Sequence, residues 1–203
     1  MKKYIPHLIL TITLLISITF NIIQCVNTNR NNSNIIFNDN IHSIVEIKAT
    51  TENVGESFGT AEFFDSDGTL ITNAHVVTYK KMGSFYAFEN FSIRFSFETE
   101  YRNATLVKYD NDLDIAVLKL DDINCDFEAI SINENNNLKF SDEVYAIGNL
   151  NNLGLSITCG IISNPSINVT YENNTRNVIQ CDLTISDGNS GGALINSKGE
   201  LVG

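Results

Sequence analysis

The chain has 203 residues, of which 43% are hydrophobic, and this is enough to bury one sizeable core. It carries 13 Lys and Arg against 24 Asp and Glu, which gives a formal net charge of -11. Because the nucleic-acid backbone attracts positive charge, this acidic balance and the lack of a basic patch argue against a nucleic-acid partner. The composition therefore predicts one acidic globular domain with appendages.

Residues 1–24 predict an export segment, either a cleaved signal peptide or a retained signal anchor. Lys2 and Lys3 precede a run over residues 8–23 that contains no charged residue. In such segments the basic residues stay on the cytoplasmic side and the following chain is exported. No small-x-small cleavage site is evident, so cleavage and retention in the membrane both remain open. The remainder is expected in the periplasm or another compartment outside the cytoplasmic membrane.

The next stretch, residues 25–40, is rich in Asn and Ser and predicts a flexible tether. At its start, Cys25 follows Ile22-Ile23-Gln24 in a pattern similar to a bacterial lipoprotein processing site. Gln24 departs from the small residue expected before that cysteine. The alternative for Cys25 is an ordinary apolar residue at the end of the export helix.

From residue 41 onward the pattern is typical of an all-β domain, with short β-branched and aromatic runs separated by Gly, Asn and Asp. The strands expected in a first half are 41–50, 58–64, 69–72, 91–97, 104–109 and 115–120. Those expected in a second half are 143–147, 155–163, 167–171, 177–183, 192–195 and 200–202. We therefore predict a domain over 41–203, with paired barrels at 41–120 and 138–203 joined by a polar linker at 121–137.

Ser190 is the candidate nucleophile of this domain. It lies in Gly188-Asn189-Ser190-Gly191-Gly192, where the glycines permit a sharp turn and a close approach to a reacting carbonyl. A serine hydroxyl is a weak nucleophile, so it needs a base, and the base needs an orienting partner. The backbone N–H groups of Gly188 and Ser190 could stabilise the oxyanion of a tetrahedral intermediate. The alternative is a glycine-rich turn between two strands.

Two residues of the first half are candidates for the base and its partner. His75 directly follows a predicted strand, whereas His7 and His42 lie in the export segment and at the start of the first strand. Asp114 precedes an apolar run that would draw its carboxylate inward, where it could accept a hydrogen bond from the imidazole. Asp112 is the second choice for the acid.

Three blocks of this sequence resemble, in order, the catalytic blocks of the HtrA/DegP family of trypsin-like serine proteases. They are Thr72-Asn73-Ala74-His75-Val76-Val77, Asp114-Ile115-Ala116-Val117-Leu118 and Gly188-Asn189-Ser190-Gly191-Gly192-Ala193-Leu194. The resemblance extends over about residues 55–203. It implies a chymotrypsin-like double β-barrel with His75 as general base, Asp114 as orienting acid and Ser190 as nucleophile, and the order His, Asp, Ser fits that fold. It implies no metal and no cofactor.

The resemblance also leads us to expect more chain than the printed sequence contains. Family members continue past the position of Gly203 with a strand that lines the specificity pocket and pairs with the substrate, and often with PDZ domains. We therefore expect a second barrel that is incomplete at its C-terminus. Its exposed edge would invite association with another chain, including a second copy.

Two classes of function follow from these features. The first is an envelope serine endopeptidase that cleaves exposed or misfolded polypeptides through an acyl-enzyme. The second is a truncated or degenerate protease-derived module that binds chains, as a chaperone does, with little activity. The complete set of triad residues favours the first class, and the missing substrate strand favours the second.

The resemblance further implies a residue in the specificity pocket. Thr184 stands six residues before Ser190, where trypsin-type enzymes carry the carboxylate that selects Lys or Arg. We therefore expect no preference for a basic residue at the cleavage site, and we expect a preference for a small aliphatic one.

Cys159 and Cys181 lie in two runs that the resemblance makes antiparallel neighbours in the second barrel. If Ile161 faces Ile179 across that pair, then Cys159 faces Cys181, and an exported protein could keep the disulfide oxidised. The alternative is two buried free cysteines. Cys125 has no evident partner.

Overall fold

The computed structural model describes residues 5–135, 137–171 and 174–203, and for residues 5–11, 13, 23–31, 171 and 174 it describes the backbone alone. The chain divides into two compact units, of which the first ends at Ile35 and the second comprises residues 36–203. Helix α1 (Ile5–Asn40) supplies the described part of the first unit and extends into the second.

The predicted flexible tether at residues 25–40 is wrong, because α1 continues through it to Asn40. This stretch contains neither Gly nor Pro, the two residues that most readily end a helix. Within the second unit Ile36 is buried, and the side chain of Asn40 donates to the carbonyl of Ile36 at 2.8 Å. Among the described residues, we find no helix with a run long and apolar enough to span a membrane.

The first half of the second unit is a closed six-stranded barrel with the strand order β1-β2-β3-β8-β7-β6. Its strands are β1 (Ile44–Thr51), β2 (Gly55–Phe63), β3 (Thr69–Thr72), β6 (Asn90–Arg94), β7 (Arg102–Asp110) and β8 (Ile115–Leu120). Alternate residues point inward, as the period of a strand requires, so that β1 contributes Val45, Ile47 and Ala49 to the core. Strands β3 and β8 have the bounds expected from the sequence.

A short helix and a hairpin interrupt the barrel after β3. Helix α2 (Ala74–Val77) is followed by β4 (Thr78–Lys81) and β5 (Ser84–Ala87), which pair with each other in a separate two-stranded sheet. The sequence analysis missed this hairpin. Its turn is Met82-Gly83, with φ of 51° and 87°, and two consecutive positive φ values are what a tight two-residue hairpin needs.

The second half is a four-stranded sheet with the order β11-β10-β9-β12, which forms a half-barrel. Its elements are β9 (Glu143–Gly148), a 3₁₀ turn at Leu150–Asn152, β10 (Ser156–Tyr171), β11 (Asn174–Cys181) and β12 (Ala193–Asn196). Its core is smaller and includes Tyr145, Ile147 and Ile195, together with Ile44 from β1 and Ile36 from the end of α1. The prediction of an all-β, chymotrypsin-like fold with an incomplete second barrel is confirmed.

Strand β10 joins two runs that the sequence analysis kept apart. The intervening Asn164-Pro165-Ser166 is accommodated by shifts of register against β11, one between Ile162 and Asn164 and one between Asn164 and Ile167. Pro cannot donate to a sheet ladder, and an irregularity of this kind is one of the places where a strand tolerates it. The strand expected at 200–202 is reduced to isolated bridges made by Leu201.

The predicted Cys159–Cys181 disulfide is wrong, since both cysteines are free thiols. In the observed register Cys181 faces Ile162 of β10, whereas Cys159 faces Tyr145 of β9 on the other side of the strand. The assumed pairing of Ile161 with Ile179 therefore does not occur. Cys125 is likewise a free thiol.

Candidate active site

The structure brings His75 and Asp114 into direct contact at one end of the barrel. His75 lies in α2, directly after β3, and Asp114 lies in the turn that leads from β7 into β8. The Nδ1 of His75 is 2.9 Å from Oδ2 and 3.0 Å from Oδ1 of Asp114. The backbone N–H of His75 also donates to Oδ1 of Asp114 at 3.0 Å. Because the carboxylate accepts from Nδ1–H, the Nε2 of His75 is the nitrogen left to act as a base.

Asp114 adopts an unusual backbone conformation at this position. Its φ is 57°, in the left-handed region that an L-residue other than Gly occupies at a cost of about 1–2 kcal/mol. The preceding turn is held by Asp110, whose Oδ1 accepts from the backbone N–H groups of Asp112 and Leu113 at 2.9 Å each. Asp114 is thus the carboxylate bonded to His75, as its place before the apolar run indicated, and Asp112 forms part of the turn.

The contact shifts the pKa of both groups. The hydrogen bond that His75 donates to Asp114 raises the pKa of His75 above its ordinary value, against the smaller effect of burial. Burial alone would raise the pKa of Asp114, but the hydrogen bonds from His75, together with the charges of His75 and Arg176, lower it. The side chain of His75 is 54% exposed and that of Asp114 is 26% exposed, so the pair lies at the surface with its carboxylate partly covered.

Ser190 lies in the loop before β12 and is anchored to the barrel on both sides. Its carbonyl accepts from the backbone N–H of Thr60 on β2 at 2.9 Å. The next residue, Gly191, donates its N–H to the side-chain oxygen of Asn73 at 2.6 Å. Among the described residues, the hydroxyl of Ser190 makes no hydrogen bond in this conformation.

The predicted oxyanion donors, Gly188 and Ser190, lie two residues apart in the same loop. In the part of the chain that the structure describes, neither of their backbone N–H groups donates to an acceptor. The loop is closed instead by Asn189, which donates to Ser186 and accepts from Gly192. Both N–H groups are therefore available to a ligand, and their convergence on one oxygen stays a prediction.

A cavity of about 350 Å³ opens beside Ser190. Its walls are mainly apolar and include Ile179, Leu183, Ile185 and Leu194, and Cys181 also lines it. Thr184, the residue predicted for the specificity pocket, is not among the lining residues, and its carbonyl accepts from the hydroxyl of Thr158. Its two neighbours, Leu183 and Ile185, line the cavity instead. In the sequence, the alternation of apolar and polar residues over 183–185 could have indicated this.

Three polar residues outside the expected set connect the site to the barrel. The hydroxyl of Thr60 donates to the carbonyl of Gly188 at 2.8 Å, and the hydroxyl of Thr72 donates to the carbonyl of Thr60 at 2.6 Å. Asn73 contacts both the Asp114 turn and the Ser190 loop. The sequence signalled Thr72 and Asn73 only by their place in the histidine block, and it contained no signal for Thr60.

The described residues include no group of three or more His, Cys, Asp or Glu side chains that could hold a metal ion. The site therefore consists of a histidine–carboxylate pair, a serine loop and an apolar cavity.

Comparison with known proteins identifies the family. The family described as "Trypsin-like peptidase domain" matches residues 59–203, which is most of the chain. The chain belongs to the trypsin-like peptidase family. The matched residues of this trypsin-like peptidase domain include His75, Asp114 and Ser190, and they begin within β2.

Individual relatives of this trypsin-like peptidase domain are bacterial proteases of the HtrA type. The chain is 36% identical to the serine endoprotease DegS of Haemophilus influenzae over 195 residues, which are 85% of this chain and 54% of that protein. A crystal structure of the serine endoprotease from Yersinia pestis matches with a TM-score of 0.66 and 33% identity, over 84% of this chain and 56% of that chain. The HtrA-type protease AlgW with tripeptide matches with a TM-score of 0.68 and 28% identity, over 82% and 51%. The trypsin-like peptidase domain thus spans about half the length of these relatives.

Proposed function

We propose that this chain is a serine endopeptidase that cleaves polypeptides through an acyl-enzyme. The observation that carries the proposal is the hydrogen-bonded pair of His75 and Asp114 at 2.9 Å, held next to the Ser190 loop by Asn73. Similarity to proteins named as serine endoproteases supports it.

In the proposed mechanism the hydroxyl of Ser190 attacks the scissile carbonyl while Nε2 of His75 accepts its proton. Asp114 holds the imidazole in the correct tautomer and stabilises the imidazolium that forms. The N–H groups of Gly188 and Ser190 would stabilise the oxyanion. The imidazolium then protonates the leaving amine, and a water activated by His75 hydrolyses the acyl-enzyme.

The raised pKa of His75 indicates how the rate should depend on pH. Only the neutral imidazole can accept the proton, so the rate should rise with pH through the pKa of His75. Because the hydrogen bond that His75 donates to Asp114 raises that pKa, the midpoint should lie above the ordinary histidine value.

The apolar cavity beside Ser190 supports a substrate preference. No side chain among the described residues that line it carries a carboxylate to pair with Lys or Arg, and its Ile, Leu and Ala side chains would favour an aliphatic residue on the acyl side of the cleaved bond. A peptide library cleaved mainly after Lys or Arg would contradict this preference.

We also propose that the domain acts outside the cytoplasmic membrane, on exposed or misfolded polypeptides. The basic start and uncharged run of residues 1–24 support export, and association with the membrane through that segment is part of the proposal. Assembly with further copies of the chain is a related proposal. A fusion of residues 1–40 to a reporter enzyme that works only after export would test the direction of transfer.

The alternative function is a module that binds polypeptides without cutting them, and the apolar cavity beside Ser190 suits either role. A fluorophosphonate probe distinguishes the two, since it labels only an activated serine. We expect labelling of the wild-type chain and hydrolysis of casein, and neither with Ser190→Ala. Labelling that survives Ser190→Ala, or binding of unfolded casein without any labelling of wild type, would contradict the proposed peptidase.

A further inference from the structure

Asn73 lies at a position where its side chain would ordinarily cap a helix. It is the residue directly before α2, and Asn is among the residues that best cap a helix by accepting from a backbone N–H of the first turn. In this protein the Asn73 side chain makes no such capping bond. Both ends of its amide are instead used for contacts far away in the sequence.

The nitrogen end of the amide holds the Asp114 turn. Asn73 Nδ2 donates to the backbone carbonyl of Asp114 at 2.9 Å. The backbone of Asp114 has a φ of 57°, so this residue stays in an unfavourable conformation only if its surroundings hold it there. The same residue presents its carboxylate to Nδ1 of His75. A hydrogen bond to the Asp114 carbonyl therefore acts on the group that orients the imidazole.

The oxygen end holds the Ser190 loop. Asn73 Oδ1 accepts from the backbone N–H of Gly191 at 2.6 Å. Gly191 has a φ of 76°, and a Cβ at this position would overlap the hydroxyl of Thr72 and the carbonyl of Thr60. The loop therefore packs closely against the segment that carries Asn73.

We propose that Asn73 is a positioning residue that joins the Asp114 turn to the Ser190 loop through its two amide ends, and so sets the distance between His75 and Ser190. The proposal rests on the proposed serine peptidase function. The three catalytic groups lie in separate segments of the chain. Asn73 forms hydrogen bonds with the segments that carry Asp114 and Ser190, and it lies two residues before His75 in the sequence. Misplacement of reacting groups by about 1 Å can cost roughly 100-fold in rate.

Two substitutions separate this role from helix capping. Asn73→Ser retains a good capping side chain but is too short to reach both partners. Asn73→Asp is also a good cap and keeps an acceptor for Gly191 N–H, but it has no donor for the Asp114 carbonyl. The matched control is Asn196→Ser. Asn196 likewise makes side-chain bonds at both amide ends, to Glu200 Oε2 and to the N–H groups of Lys198 and Glu200, in the hairpin after β12.

The measurement is the second-order rate of fluorophosphonate labelling as a function of pH, on full-length variants at a temperature where circular dichroism shows each one folded. We expect Asn73→Ser and Asn73→Asp each to lower the rate by roughly 10- to 100-fold. Asn196→Ser should stay within about 2-fold of wild type, as expected for a substitution away from the site. In Asn73→Ser the midpoint of the pH profile should move lower, because a loosened Asp114 no longer supports protonated His75.

Each outcome decides between the proposals. A wild-type rate and midpoint in Asn73→Ser would overturn the role of Asn73 while leaving the serine peptidase intact. A wild-type rate in Asn73→Asp would overturn the two-ended connection, because the bond to Asp114 would then be dispensable. An equal loss in Asn196→Ser would indicate general destabilisation and would also overturn it. No labelling of the wild-type chain would overturn the peptidase and the positioning role together.

Discussion

The closed barrel and the open half-barrel contribute to the site in different ways. The barrel buries a large cluster of side chains, and it supplies His75 from the helix after β3 and Asp114 from the turn before β8. The half-barrel buries a smaller cluster and supplies Ser190 and the apolar cavity from a loop and two sheet edges. A closed sheet has no edge and little room to relax, whereas an open sheet can adjust. This difference explains why hydrogen bonds with Thr60 and Asn73 hold the Ser190 loop against the barrel.

The largest effect is expected from a substitution that disrupts the pair of His75 and Asp114 on the barrel. Asp114→Asn keeps the shape of the side chain but can no longer hold the imidazole in the tautomer that leaves Nε2 free, so we expect the rate of fluorophosphonate labelling to fall by about 10³- to 10⁴-fold. Asp112→Asn, two residues away in the same turn, is the control and should change the rate by less than about 3-fold, as expected of a surface substitution. Similar losses in both variants would mean that the acidic turn acts as a whole.

The second prediction compares the same substitution, Ile to Ala, in the core of the barrel and in the core of the half-barrel. Ile47 in β1 and Ile195 in β12 are both 0% exposed. We expect Ile47→Ala to lower the free energy of unfolding by about 3–5 kcal/mol, and Ile195→Ala by about 2–3 kcal/mol, because the open sheet can collapse partly into the cavity. Urea denaturation followed by circular dichroism measures both values. A larger loss at Ile195 would refute the idea that the half-barrel is the more adaptable region.

The third prediction concerns two buried glutamates on neighbouring strands of the barrel. Glu46 on β1 accepts from the guanidinium of Arg94 at 2.8 Å. Glu62 on β2 is 7% exposed, and its Oε2 has no hydrogen-bond partner among the described residues. Burial raises the pKa of Glu62 well above its usual range. The folded state therefore holds this proton more tightly than the unfolded state, and its stability falls as pH rises from about 4.3 toward the raised pKa.

Glu62→Gln removes this titration, so we expect the free energy of unfolding at pH 7 to rise by about 1–2 kcal/mol and to depend less on pH above about 4.5. Glu46→Gln is the control with the opposite sign, because it weakens the bond to Arg94 and should cost about 1 kcal/mol. Thermal unfolding at several pH values measures both. An unchanged pH dependence in Glu62→Gln would show that Glu62 finds a partner in solution.

The smallest expected effect lies in the half-barrel. Because Cys159 and Cys181 are free thiols on different register positions, replacing Cys159 with Ser should change the free energy of unfolding by less than about 0.5 kcal/mol. Alkylation in urea without reductant, followed by mass spectrometry of peptides, should find both thiols modified. Recovery of a linked Cys159–Cys181 peptide would reverse this conclusion.

Much of the barrel and the identity of the candidate triad followed from local sequence. Strands β3 and β8 were predicted with their observed bounds, since short β-branched runs between turn residues are a local signal. The pair of His75 and Asp114 followed from their places next to such runs. Helix α1 beyond residue 25 was missed because its Asn-rich composition is typical of a flexible segment. The Met82-Gly83 hairpin was missed because it lies in a short polar run.

The sequence by itself thus determined the all-β class, the strands of the barrel and the order of the three blocks that contain His75, Asp114 and Ser190, because period, turn residues and motif spacing are properties of neighbouring residues. Only the tertiary structure decided the register of β10 against β11, which separates Cys159 from Cys181. It alone also decided which residues line the cavity and where the amide of Asn73 bonds. These features depend on which residues from distant parts of the chain meet, and that is set by how the barrel and the half-barrel pack together.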